Sequence, residues 1–222
     1  MLIPLTRATF EEIIPLIATG PQYLYYSGQW QKILKQLLIS LVGVVSIWLV
    51  FKLFGHAADG ISLVLRIIAG LYWLWGPVYL ASMRNQSYRR YPYSGFLRAR
   101  IVDVYITEEL IREEQSVNQR GELVIIENKE KRINLDIEDE TGFFAQTQAP
   151  LKRIHKVIKP GQIAECLVLS KKPNLAIIDK TTDIYIPQHN LWIGDYPYLR
   201  RDTFKRVSQS LTRSKTQRRS RY

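Results

Sequence analysis

The chain has 222 residues, one cysteine, three histidines and a formal net charge of +11. A single cysteine, Cys166, excludes an intramolecular disulfide, and His56, His155 and His189 are too scattered for a zinc site. Residues 1–94 hold 8 Lys/Arg against 3 Asp/Glu, residues 95–199 hold 14 against 16, and residues 200–222 hold 9 against 1, so the basic folded body typical of a nucleic-acid binder is missing.

Residues 1–32 read as an amphipathic interfacial segment. Within it, Thr9 and Glu12 stand at capping-box spacing before a helix over 9–19, with Ile13, Ile14, Leu16 and Ile17 as its apolar face. Pro15 predicts a kink. Tyr23, Tyr25, Tyr26 and Trp30 then suit an aromatic belt at the membrane interface. The segment rests either on lipid headgroups or on a partner membrane protein.

Two apolar runs follow, Leu37–Phe51 and Ile61–Met83, separated by Gly55–Gly60. The first extends over Ile33–Phe54, roughly 20 residues, about enough to cross a ~30 Å hydrocarbon core. A connection of about six residues forces antiparallel neighbours, so residues 33–83 are expected to form a two-helix transmembrane hairpin. In the second run Gly70 and Gly76 permit close helix approach, Tyr72, Trp73 and Trp75 lie near its middle, and Gly76-Pro77 predicts a kink. Gly70, Tyr72, Trp73, Trp75, Gly76 and Pro77 are therefore candidate partner-binding residues, with packing inside the hairpin as the alternative. Neither run contains a histidine, so no tetrapyrrole ligand is evident and no cofactor is expected. Arg66, near the start of its run, and Lys52, near the end of the first, can snorkel to one interface; the sharper alternative makes Arg66 an anion site.

Charge sets the direction. Lys32 and Lys35 precede the first run, Arg84, Arg89, Arg90, Arg98 and Arg100 follow the second, and the connection holds no Lys or Arg. The positive-inside rule places both termini on the cytoplasmic side of an integral membrane protein. Arg89 and Arg90 become candidate membrane-surface residues.

From residue 95 to 199 the pattern changes to period two. Strands are expected at Arg100–Ile106, Leu123–Glu127, Arg132–Ile137, Gly142–Gln148, Ile163–Leu169 and Asp183–Ile186, separated by turn signals at 118–121, 128–130, 139–142 and 159–161. Arg132–Gly142 followed by Phe143–Thr147 resembles the second and third strands of an OB-fold, and Lys159–Ser170 resembles its fourth. The fold class is thus a membrane α-helical hairpin plus a soluble all-β domain, an OB-like small β-barrel. Its would-be binding strands carry Asp136, Glu138, Asp139 and Glu140, which repel phosphates, so nucleic acid is disfavoured and Phe143 and Phe144 read as protein contacts. Trp192 and Tyr196, in the aromatic stretch 187–199, are candidates for the same role, with packing onto the barrel as the alternative.

Residues 202–211 suggest a short helix. Beyond it a basic, disordered tail carries Arg213, Lys215, Arg218, Arg219 and Arg221, candidate contacts to anionic lipid at about 1 kcal/mol each near the surface. No phosphate loop, nucleophile elbow or metal-ligand spacing appears, no small-molecule substrate is evident, and nothing requires an enzyme.

Tyr72–Pro77, Arg90–Phe96, Gly121–Asn128, Arg132–Phe143, Asp183–Pro187 and Asp195–Asp202 together resemble a family of small two-span membrane proteins of cyanobacteria, sometimes labelled phosphate-transporter permeases. The resemblance implies a thylakoid or plasma-membrane setting. Two spans make too little wall for a permease, so the expected role is that of a non-catalytic accessory, assembly or scaffold factor bound to membrane-complex subunits, a photosynthetic complex first among them. An anion transport component and a membrane-tethered single-strand binder are the alternatives.

Overall fold

The computed structural model describes residues 1–54, 59–117 and 123–219. The chain divides into two compact units, one from Glu11 to Arg90, the other joining Met1–Phe10 to Tyr91–Tyr222. The first ten residues therefore belong with the sheet, and the expected single segment over 1–32 is divided.

The sheet unit holds β1 (Leu2–Pro4), β2 (Tyr93–Val117), β3 (Leu123–Glu138), β4 (Phe144–Pro150), β5 (Ile163–Ser170), β6 (Lys180–Thr181), β7 (Ile184–Ile186) and β8 (Leu191–Ile193). They form one antiparallel sheet in the order β4-β3-β2-β5-β7-β8, with β1 added to β2 and β6 to β5. The sheet is open. After β4 the chain crosses to the far side of β2, where β5 pairs, so β4 and β8 remain edges where the OB-like reading expects closure. Part of that reading is present: β3 and β4 form a hairpin from Glu138↔Phe144 to Arg132↔Pro150. Its turn is fixed by Asp139, whose Oδ1 accepts from the backbone N–H of Thr141 and Phe143, and by Gly142 at φ +80°, where a side chain would be strained.

The two strands expected at Leu123–Glu127 and Arg132–Ile137 are one. Residues 128–130 contain no Gly or Pro, and they continue the ladder as Asn128↔Arg112, Lys129↔Leu110 and Glu130↔Glu109. Ladder pairing outweighs a polar composition there. The turn signal at 118–121 lies outside the described residues.

Side chains alternate to build the core. Leu97, Ala99 and Ile101 of β2 pack with Ile133, Leu135 and Ile137 of β3, Ala164, Cys166 and Val168 of β5, and Ile184, Ile186 and Ile193 beyond. The intervening residues of β5, Glu165, Leu167 and Leu169, are buried too, because α6 (Arg201–Arg219) covers the opposite face. Phe204 anchors it, with ring centroids 5.5 Å from Phe96, 5.4 Å from Trp192 and 6.1 Å from Tyr185. The helix runs well past the expected 202–211 because no Gly or Pro follows Pro197.

In the helical unit and its approach lie α1 (Arg7–Ile13), α2 (Gly20–Ser27), α3 (Trp30–Phe54), α4 (Asp59–Gly70) and α5 (Tyr72–Arg89). Thr6, not Thr9, caps α1: Thr6 O accepts from Phe10 N at 3.0 Å, and its Oγ1 accepts from Thr9 N at 3.4 Å. The helix stops at Ile13 because Pro15 disfavours helical geometry at the residue before it. α3 is long and apolar enough to cross a membrane, with a mean hydropathy of 2.2 over the most apolar 18 residues of Trp30–Leu53. The second apolar run is not one kinked helix but a pair bent by 68° between Gly70 and Tyr72. The Gly76-Pro77 pair expected to cause the kink lies inside α5 instead. The Gly55–Gly60 connection falls largely outside the described residues.

At Gly95 a Cβ would come 2.9 Å from Leu2 Cδ1, 2.7 Å from Leu175 Cδ1 and 3.3 Å from Ile3 O. Gly95→Ala is expected to cost about 1–3 kcal/mol by overpacking and to accelerate amide exchange at Leu5, whose N–H is bonded to Ser94 O. Unchanged exchange there would remove β1 from the account of this close approach.

Candidate functional site

In the helical unit the prominent feature is uncovered apolar surface. Only 11% of the most apolar stretch of α3 is buried within the protein. Leu34, Leu38, Leu41, Val42, Leu49 and Leu53 are exposed, and so are Ile61, Leu63, Val64, Ile67 and Ile68 of α4. Contiguous apolar surface of this kind is rare on monomeric soluble proteins and marks contact with another protein or with a membrane.

The polar groups of these helices turn inward. Gln36, Ser40 and Ser62 are buried. Gln22 and Asn85, both fully buried, exchange amide hydrogen bonds of 3.0 and 2.8 Å between α2 and α5, and Gln22 Oε1 also accepts from Thr19 N. α3 and α4 meet at small residues: a Cβ on Gly43 would stand 3.3 Å from Ala69 Cβ, and one on Gly70 3.5 Å from Val44.

Side chains also complete the break between α4 and α5. Leu71 N still donates to Ile67 O, closing α4, and Leu74 N donates to Leu71 O, opening α5. The freed Trp73 N–H donates to Ser40 Oγ at 3.2 Å, and the Trp75 indole N–H donates to Ile68 O at 2.9 Å. Backbone groups without water carry a cost of several kcal/mol each unless partnered, and two of those opened here are met by side chains.

The residues singled out from the sequence separate into inner and outer groups. Gly70 is half-buried, Gly76 and Pro77 are buried, and Gly76 lies beneath the Tyr72 ring, where a Cβ would meet it at 3.0 Å. Tyr72 packs edge-on against Trp75 at 5.1 Å. Trp73 and Trp75 each keep 38% of their surface exposed. Arg66 Nε donates to Ser62 O, one turn back in its own helix. Arg89 is engaged inside the unit, pairing with Glu11 at 2.7 Å and donating to the carbonyls of Glu11 and Ile14; Arg90 is exposed.

In the sheet unit, Phe144 is exposed, Phe143 and Trp192 are half-buried, and Tyr196 is buried against Tyr198. Arg213 is exposed; the side chains of Lys215, Arg218 and Arg219, and all of Arg221, lie outside the described residues. Beneath α6, Arg98 of β2 stands opposite Glu165 of β5, with Nη1 3.5 Å from Glu165 Oε1. Ser208 Oγ donates to Glu165 Oε2 at 2.6 Å, and Arg98 Nη1 donates to Thr212 Oγ1. Burial pushes the Glu165 carboxyl above its ordinary range, opposed by Ser208 and Arg98. Two cavities of about 560 and 500 Å³ share Arg98 and Thr212 in their walls. The cluster fastens α6 to the sheet. It contains no activated nucleophile: burial, then Asp183 and Glu165, push the nearby Cys166 thiol up to about 12, so it stays protonated. Among the described residues, no group of three His, Cys, Asp or Glu could hold a metal ion.

Asp183 organises the aromatic stretch 187–199. Its Oδ1 accepts from Tyr198 N at 3.1 Å and Leu199 N at 3.2 Å, while Oδ2 is buried without a hydrogen-bond partner. Burial raises its carboxyl to about 7. Sequence reading passed over Ser40, the Gln22–Asn85 pair and Glu165. For Ser40 and Glu165 the available signal was an isolated polar residue inside an apolar run; Gln22 and Asn85 stand among other polar residues and carry no such mark.

The family model for DUF8619, a family of unknown function, matches residues 3–217. No curated protein and no solved structure matches the chain.

Two outcomes are expected. Asn85→Ala strands the buried Gln22 amide and should lower unfolding free energy by about 1–3 kcal/mol, measured in detergent by chemical denaturation; a cost near zero would mean the pair is dispensable. Asp183 is raised in the folded state, so its contribution to stability is full below its unfolded value near 3.8 and is lost as pH rises through about 7. Asp183→Asn should therefore flatten the fall in melting temperature between about pH 4 and 7, and an unaltered slope would assign that dependence elsewhere.

Proposed function

The chain belongs to the DUF8619 family, and we propose that it is a non-catalytic accessory, assembly or scaffold factor of a membrane protein complex. The observation that carries this reading is the bare apolar surface of α3, whose most apolar stretch is only 11% buried within the protein. A bilayer is the solvent that accepts such a helix without cost. α3 anchors the chain, α4 and α5 complete a hairpin, and Lys32, Lys35, Arg84 and Arg90 hold the flanking ends at the cytoplasmic face. The half-exposed Trp73 and Trp75 offer a lateral surface to partner helices, while the sheet unit offers Phe144 to a soluble face of the same partner. The basic end of α6 rests on anionic lipid. The inert Cys166 and the structural use of Glu165 fit a binding role better than a catalytic one. The resemblance to cyanobacterial two-span proteins makes a photosynthetic complex in the thylakoid or plasma membrane the first client to examine.

The test is affinity purification of the full chain in mild detergent after alkaline carbonate washing of the membranes. The chain should remain in the carbonate pellet and bring down membrane subunits in fixed proportion. Trp73→Ala combined with Phe144→Ala should reduce that recovery at least tenfold while leaving membrane retention intact. A monomer that purifies alone would overturn the reading.

A further inference from the structure

The chain leaves the sheet unit after β1, passes through the helical unit, and re-enters the sheet unit at β2. β1 and β2 are paired residue by residue, Leu2↔Leu97, Ile3↔Phe96 and Pro4↔Gly95, with Arg98 N donating to Met1 O at 2.8 Å and Leu5 N to Ser94 O at 2.9 Å. Hydrogen-bonded strands of one sheet lie on one side of a bilayer, because a strand separated from its sheet by hydrocarbon would lose every ladder bond. Whatever lies between β1 and β2 must cross the membrane an even number of times.

We propose that the bent pair α4–α5 is a single complete crossing that returns the chain to the face where β1 already sits, and not a re-entrant loop. The inference rests on the reading of α3 as a transmembrane helix and deepens the hairpin proposed above, giving it a ground independent of charge, the β1–β2 ladder, and accounting for the 68° bend. With α3 across, a re-entrant pair would deliver β2 to the face opposite β1. The ladder forbids that.

Length agrees. α4 has 12 residues, and the apolar first part of α5, Tyr72–Met83, has as many. At 1.5 Å per residue each half is about 18 Å long, and two such halves joined at 68° reach about 30 Å end to end, the thickness of the hydrocarbon core. Depth agrees as well. The break is bonded through Trp73 N to Ser40, which lies about 15 Å along α3 from Trp30, near its midpoint. A helix interrupted at mid-bilayer needs partners for its opened backbone groups, and the Ser40 hydroxyl and Trp75 indole supply two without water.

Single cysteines provide the test in the full chain, since native Cys166 is fully buried and its thiol stays protonated. Gln29→Cys precedes α3, Gly60→Cys opens α4, where a side chain meets nothing within 4 Å, and Gln209→Cys lies on the exposed side of α6. Each variant is treated with a membrane-impermeant maleimide in sealed right-side-out and inverted vesicles. The expected result is labelling of Gln29→Cys and Gln209→Cys from one face and of Gly60→Cys from the other, with at least tenfold preference. Labelling of Gly60→Cys from the same face as the other two would overturn the crossing, and so would labelling of Gln29→Cys and Gln209→Cys from opposite faces. Release of all three variants by alkaline carbonate would instead remove the membrane reading itself. Failure of co-purification with correct sidedness would leave the crossing standing and remove only the accessory role.

Discussion

The rest of the molecule depends on three residues of β1 lying against Gly95–Leu97. That ladder ties together two points of the chain 97 residues apart, as measured from Met1 to Arg98. It also occupies the stretch of the β2 edge that β3 leaves unpaired, since β3 begins its register at Arg100. Without β1 the N–H and C=O groups of Phe96 would face solvent on one side, although Phe96 and Leu97 are fully buried. Gly95 makes this possible by leaving no side chain between Leu2, Leu175 and the Ile3 carbonyl. The short strand thus completes a wall of the core and sets the connectivity of everything between.

Within the helical unit the inside and outside exchange their usual composition. Leucine, isoleucine and valine face outward, while Gln22, Gln36, Ser40, Ser62 and Asn85 are buried. Glycines at 43 and 70 bring α3 and α4 together closely, and hydrogen bonds between side chains and backbone add to that packing. The sheet unit shows the ordinary arrangement. Its apolar residues are buried on both faces of the sheet, and two of its buried carboxylates, Glu165 and Asp139, are satisfied by Ser208, Thr141 and nearby amides, while Asp183 keeps one oxygen without a hydrogen-bond partner. The same chain thus holds two opposite distributions of polar and apolar groups.

Much of this was legible in the sequence where a pattern repeats. The apolar runs, the period-two stretch, and the turns at 139–142 and 159–161 required only local chemistry, and Gly142 and Gly161 do adopt positive φ. What the sequence hid depended on contacts far apart in the chain. Leu2–Pro4 is too short to show a period, so its strand is visible only beside β2. The polar tripeptide 128–130 stays extended because β2 runs opposite it. The kink assigned to Pro77 appears at Leu71, because Ser40 and Trp75 satisfy a break there. Thr6 displaced Thr9 as a cap by a single turn, since both offer the same hydroxyl.

The pairing of β1 with β2 also imposes an order in time. Ribosomes add about 5–20 residues per second, and 97 residues separate Met1 from Arg98. The first strand therefore waits on the order of 5–20 s for its complement to be made. During that interval every helix between them is synthesised and must find its place. β1 can pair only after the residues between it and β2 have been made, so its docking on β2 records that the intervening segment is complete.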